Sequence, residues 1–377
     1  MIGGMTDMNN PFKYGVIVTG KDFVDREKEL DELVREIGSG KSIVVYSNRR
    51  MGKSSLLAEL AREYRNEFIF VTVDLYGITE KRLFLEVFSN AVLRATYGRA
   101  GRFASGLWEL LRGTGLRAVI TNKGSLGVEL IEREPRPSDL SEMLDLPEKG
   151  ARKRRKRFVV IFDEFQETSA FGGVPLLKSM RSRFQTHKDA VYVFSGSKRH
   201  VLHNIFEEHE GAFFKFAKPM ELRSMPAPIL VDFIVRQFKR AGGTIDRRAA
   251  KRLVDASKGF PYYSQQLAHE LYSISKDSPS EKQVEEAIGS ALEHQSPAFS
   301  YVWDSIKSPL QRMYLKAVAQ ETGSVIGSEF IEKHGLKSRS HVQRVQTQLD
   351  ARGLTEAGKI VDPLFALWLR RLSHTDL

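Results

Sequence analysis

Along the first half of the chain, short apolar runs alternate with stretches whose hydrophobic residues recur at helical spacing. The apolar runs cover residues 42–46, 68–75, 158–162 and 190–194, and helical spacing follows the first two over residues 53–66 and 80–94. Runs this short, rich in Val and Phe and without polar alternation, suit strands that are covered on both faces. Strands of that kind interleaved with helices predict an α/β core on a parallel sheet. Residues 97–150 interrupt the alternation with Gly, Pro and charge around two helical pieces, 106–112 and 138–144, and read as an insertion of unknown role.

Strand signals stop after Leu222. From residue 228 to 292 the spacing is helical throughout, carried by Ile229, Phe233 and Phe238, then Ala249, Leu253 and Ala256. Three further helices are predicted at 309–320, 327–334 and 338–352. Two short apolar pieces, 353–355 and 359–361, flank a tight turn at Ala357-Gly358. Three helices followed by a two-stranded wing is the winged-helix layout. The expected organisation is an α/β P-loop NTPase core with a parallel sheet over residues 1–225, a small helical lid over 226–298, and a winged-helix domain over 299–377.

Composition narrows the class. At 377 residues the chain is too long for a single ordinary core, and 41% hydrophobic content describes a globular protein. There is no run of eighteen apolar residues, no secretory signal pattern at the N-terminus, and no cysteine for disulfides or thiolate metal sites. A cytoplasmic protein with no membrane association is expected. Six of the +11 net charges come from one run, Arg152, Lys153, Arg154, Arg155, Lys156 and Arg157. Such a block reads either as a solvated loop before a strand or as a patch for nucleic-acid phosphates.

Ser47-Asn48-Arg49-Arg50-Met51-Gly52-Lys53-Ser54 follows a predicted strand and opens a predicted helix. Apart from its first position this is the G-x-x-x-x-G-K-[ST] phosphate loop. Its backbone N–H groups and the helix N-terminus make a positive cradle. Lys53 would reach the β- and γ-phosphates, and the Ser54 hydroxyl would ligate Mg²⁺. Ser47 stands where glycine is usual, and a positive φ there would cost about a kilocalorie per mole. The apolar run 158–162 ends in Asp163-Glu164, at the strand end where open α/β sheets place ligands. Asp163 suits a Mg²⁺ role, and Glu164 suits a general base toward the attacking water. The fourth run leads into Ser195, Ser197 and Arg199. These read either as γ-phosphate and water contacts with added positive charge, or as an ordinary strand-to-helix turn.

Three stretches together resemble the archaeal ATPase family, a STAND-type branch of the AAA+ P-loop superfamily related to replication initiators. They are Val24-Asp25-Arg26-Glu27, Asn48-Arg49-Arg50-Met51-Gly52-Lys53-Ser54-Ser55-Leu56-Leu57 and Phe162-Asp163-Glu164-Phe165-Gln166-Glu167. Gly259-Phe260-Pro261 and Asp362-Pro363-Leu364-Phe365 fit the same family's helical and winged-helix parts. The resemblance spans essentially the whole chain in order. It implies ATP or ADP with Mg²⁺ as ligands, Val24 and Arg26 beside the adenine, residues 47–55 around the phosphates, and Pro261 against the nucleotide from the lid. Two departures matter. Asp25 replaces a common glycine, and residues 213–218 lack the Gly-Arg pair that relatives often show.

In the third C-terminal helix, Val342, Val345 and Leu349 share one face and Ser340, Gln343, Arg344 and Thr347 the other. Gln343, Arg344 and Arg339 are the residues expected to meet duplex DNA if this unit reads it. Two functions follow. One is an Mg²⁺-dependent ATPase coupled to DNA or a nucleoprotein. The other is a slowly hydrolysing switch that regulates a protein partner through lid and winged helix.

Overall fold

The computed structural model describes residues 10–98, 107–120, 126–131, 136–321, 325 and 327–375. The chain divides into two compact units, Arg26–Arg49 with Lys53–Arg223, and the residues through Asp25 with Arg50–Gly52 and Ser224–Leu377.

The first unit is built on five parallel strands, β1 (Ile43–Tyr46), β2 (Ile69–Asp74), β5 (Phe158–Asp163), β6 (Ala190–Gly196) and β7 (Lys218–Glu221), in the order β2-β5-β6-β1-β7. The four apolar runs become β1, β2, β5 and β6. β7 lies at the edge and buries only Met220, so its sequence carries no apolar run. β5 is buried over its first five residues, as an inner strand of a parallel sheet usually is. Phe162 sits at the centre of a ring cluster. Its centroid is 5.8 Å from Phe88, 5.8 Å from Phe194, 6.0 Å from Phe184 and 6.3 Å from Tyr192, all near-parallel. Phe162→Ala is expected to cost about 3–5 kcal/mol through the cavity it leaves, measured by urea unfolding of the full chain.

The insertion contains an antiparallel hairpin, β3 (Leu116–Ile120) with β4 (Leu126–Leu130), and a helix Leu146–Arg154, neither of them evident from hydrophobic spacing. β4 is finished by side chains of the helix Lys81–Tyr97. Asn90 donates to the Val128 carbonyl at 2.8 Å and accepts from the Val128 N–H at 2.9 Å. Glu86 accepts from the Leu130 N–H, and Arg82 donates to the Leu130 carbonyl. Three side chains at helical i, i+4, i+8 spacing thus occupy a strand edge that would otherwise invite pairing.

The second unit contains four helices, Ala227–Arg240, Arg247–Ser257, Pro261–Ile274 and Glu281–Ser305, and then the winged-helix elements. Phe12 from the N-terminal stretch packs here, 5.5 Å from Phe238 and 6.3 Å from Tyr272 between ring centroids. Residues 298 and 299 lie inside the continuous helix Glu281–Ser305, which carries Pro297 in its interior. Helices Pro309–Gln320, Ser328–Lys333 and Arg339–Ala351 precede the wing, β8 (Thr355–Glu356) and β9 (Lys359–Ile360), and the helix Pro363–Thr375 closes the chain's described part. The wing turn places Ala357 at φ +49° and Gly358 at φ +77°, the pair of left-handed residues a two-residue hairpin turn needs. Among the described residues no helix is long and apolar enough to cross a membrane.

Candidate active site

The register of the parallel sheet decides which residues meet. Val45 pairs with Ser195, Tyr46 with Gly196, and Phe162 with Phe194, so β1, β5 and β6 end at one level. Asp163 is the last residue of β5, and just past the strand ends the chain carries Ser47, Glu164 and Ser197. The helix Lys53–Glu63 starts there as well.

Ser54 Oγ donates to Asp163 Oδ2 at 2.9 Å, and Ser195 Oγ donates to Asp163 Oδ1 at 2.9 Å. The Glu164 N–H also donates to Asp163 Oδ1, at 3.0 Å. Glu164 has φ +51°, an uncommon conformation for a residue with a side chain. Its Oε2 accepts from Ser197 Oγ at 3.0 Å and from Gln166 Nε2. Lys53 is buried, and burial pushes its pKa down while Glu164 and Asp163 pull it back up.

Gln166 is a residue that the motif alone does not single out. It is buried, its amide nitrogen reaches Glu164, and its carbonyl oxygen has no hydrogen-bond partner. A Cβ at Gly196 would collide with the Gln166 carboxamide, so that glycine makes room for it. Ser195 is fully buried on Asp163 rather than aimed outward, and Arg199 donates to Glu221 at 2.8 Å. Ser195 and Arg199 are thus engaged by carboxylates of the protein itself.

Ser47 is buried and does not adopt a positive φ. The left-handed positions of the loop are Arg50, at φ +69°, and Gly52, at φ +86°. A Cβ on Gly52 would sit 3.7 Å from Pro261, so conformation rather than space demands glycine there. Val24 is buried. Asp25 and Arg26 have φ +53° and +80°, a left-handed backbone that favours glycine. Arg26 donates to Glu29 at 2.7 Å and to the Arg223 carbonyl at 2.6 Å. In residues 213–218 no arginine occurs, and Lys218 pairs with Glu32 at 2.8 Å and Glu36 at 2.9 Å.

Among the described residues no group of three or more His, Cys, Asp or Glu is placed to hold a metal. Ser54 and Asp163 do fit Mg²⁺ arriving with a nucleotide, since that ion keeps its waters and takes one or two protein oxygens plus phosphates.

In the winged-helix unit, Val342, Val345 and Leu349 are buried, while Arg339, Ser340, Gln343, Arg344 and Thr347 are exposed, as the helical spacing predicts. Arg152 to Arg155 of the basic run are exposed, and several of its residues also make contacts inside their own unit. Arg152 pairs with Glu148 at 2.9 Å, and Lys153 lies over the Tyr97 ring. Lys156 donates to the Asn66 carbonyl at 2.6 Å, and Arg157 to the Ile37 carbonyl at 2.9 Å. Ile37 belongs to the last turn of the helix Glu27–Gly38, where cations are favoured.

The comparisons agree with this architecture. Residues 23–263 match a family described as an ATPase domain predominantly from Archaea, and residues 297–371 match a probable winged helix domain. No curated protein matches. The fold is similar to that of the Walker-type ATPase PABY2304 of Pyrococcus abyssi, with TM-score 0.69 and 18% identity, covering 96% of this chain and 99% of that one. It is also similar to the ORC2 protein of Aeropyrum pernix in its ADPNP-ADP complexes, with TM-score 0.55 and 12% identity over 93% and 95% of the two chains. With well over half of its length matched, the chain belongs to the family of ATPase domains found predominantly in Archaea, and it is an ATPase with a C-terminal winged helix.

Proposed function

We propose that this ATPase works with Mg²⁺ and couples its nucleotide state to DNA or a nucleoprotein bound at the winged helix. The observation that carries the catalytic part is the pairing of Ser54 with Asp163 beside Glu164, at the common end of β1, β5 and β6. In this assignment the N–H groups of residues 47–55 cradle the phosphates and the Lys53 ammonium holds the β- and γ-phosphates. Ser54 and Asp163 hold Mg²⁺, which when bound neutralises phosphate charge. Glu164 takes the proton of the water that attacks the γ-phosphorus, and the bond to the bridging oxygen of ADP breaks. Ser195 fixes Asp163, and Ser197 with Gln166 fixes Glu164, through the hydrogen bonds described above. Val24 and Arg26 serve the adenine side, and Pro261 the lid side.

Steady-state ATP hydrolysis with and without duplex DNA tests this directly. DNA-stimulated turnover is expected, and turnover indifferent to DNA would count against the coupling. If the winged helix reads DNA, replacing Arg339 and Arg344 together by alanine should weaken binding at least about tenfold and flatten its salt dependence. Undiminished binding in a fluorescence-anisotropy titration would remove that face from the interface.

The slow-switch reading is favoured by one observation. In residues 213–218, where the resemblance implies a Gly-Arg pair, this chain has no arginine, and Lys218 is tied to Glu32 and Glu36. A transition state without that charge is expected to be reached slowly. Nucleotide that stays bound through gel filtration, with negligible turnover, would support the switch.

A further inference from the structure

One charged side chain of the phosphate loop has no part in the chemistry above. Arg50 lies three residues before Lys53, in a left-handed conformation that costs an L-residue about 1–2 kcal/mol. Something must hold it there. Its Nη1 donates to Asp362 Oδ2 at 2.7 Å, 312 residues further along the chain. The same nitrogen meets the Tyr263 hydroxyl, and Nη2 donates to Gln295 at 3.3 Å. The guanidinium carbon is 4.8 Å from the Tyr263 ring centroid and 5.2 Å from that of Tyr262. Tyr263 in turn donates its hydroxyl to Asp362.

Asp362 is itself fixed. Its other oxygen accepts the N–H groups of Leu364 at 3.0 Å and Phe365 at 3.1 Å, at the start of the helix Pro363–Thr375. Burial raises the pKa of this carboxyl, and Arg50 draws it back. Capping a helix start needs only one oxygen and no buried charge. The second oxygen, beside a guanidinium that also meets the rings of Tyr262 and Tyr263, is spent on the loop.

We propose that Asp362, together with Tyr263, is a positioning residue for nucleotide: by clamping Arg50 it holds the phosphate loop in its binding-competent turn, so that the winged-helix unit sets the affinity for ATP. The proposal rests on residues 47–54 being the phosphate loop. By linkage, a partner that shifts the helix Pro363–Thr375 changes ATP affinity, and ATP changes the affinity for that partner by the same factor.

A double-mutant cycle on the full chain tests it, using a fluorescent ATP with Mg²⁺ as the probe. Asp362→Asn keeps an oxygen for the Leu364 and Phe365 N–H groups while removing the charge that Arg50 needs. Asp362→Asn and Arg50→Ala are each expected to weaken ATP binding about tenfold, and the double variant no more than either one. In steady state KM for ATP should rise while kcat changes less than twofold. Arg50→Lys, confined to the loop, gives the same reading if Asp362→Asn folds poorly; it should fall between wild type and Arg50→Ala. Wild-type or tighter affinity in Asp362→Asn, or additive losses in the double variant, would overturn the clamp while leaving the loop assignment intact. A wild-type chain that fails to bind the probe would overturn both.

Discussion

Lys53→Ala is expected to abolish ATP binding, with affinity falling by a factor on the order of a thousand or more in an equilibrium titration. The size follows from where the ammonium sits. Lys53 is buried beside Asp163 and Glu164, so removing it deletes the cation and leaves two carboxylates facing a triphosphate. Retained micromolar affinity would overturn the assignment of this loop. A second consequence has the opposite sign. Burial lowers the pKa of Lys53, so the charged form is less favourable in the folded state than in the unfolded one. The resulting destabilisation is fully present below the folded pKa and is relieved as pH rises through it toward the unfolded value. Lys53→Met should therefore leave the nucleotide-free protein as stable as wild type, or more so, at neutral pH. A lower Tm without nucleotide would mean that Lys53 is also a structural residue.

How much of this is visible in the sequence depends on how local the signal is. β1, β5 and β6 are continuous apolar runs, and burial on both faces of a parallel sheet leaves no other use for such runs. The exposed face of the helix Arg339–Ala351 is equally local, because three buried residues at helical spacing fix the rest. The hairpin β3–β4 is not local. The polar residues that complete its edge, Arg82, Glu86 and Asn90, look in sequence like the solvent face of a helix.

The same limit applies at the site. Asp163 and Glu164 are legible from the strand that delivers them. Gln166 is not, because its role depends on the space that Gly196 leaves thirty residues later. Composition alone does not say how the residues of the basic run are used. Its charge suggests an external partner, yet Lys156 and Arg157 are used on backbone carbonyls of their own unit. Strain is also misplaced by pattern alone. The departure from the motif is at Ser47, but the left-handed residue with a side chain is Arg50, whose cost is offset by contacts with Asp362 and Tyr263.

Glu164→Gln should leave ATP affinity within about threefold of wild type and slow hydrolysis by a factor on the order of a hundred or more. The reasoning turns on what glutamine keeps. Its carbonyl oxygen can still accept from Ser197 and Gln166, so the side chain stays in place and the strained backbone at φ +51° is undisturbed. What it loses is the capacity to take a proton from water. A loss of a hundredfold corresponds to about 2.7 kcal/mol of barrier, well above what one displaced neutral hydrogen bond is worth. Single-turnover hydrolysis, compared with binding of the same nucleotide, separates the two effects. Gln166→Ala should fall between wild type and Glu164→Gln, since it frees the carboxylate to rotate without removing it. Unchanged turnover in Glu164→Gln would take Glu164 out of the chemistry, and the buried Gln166–Gly196 fit would then be packing at a strand end.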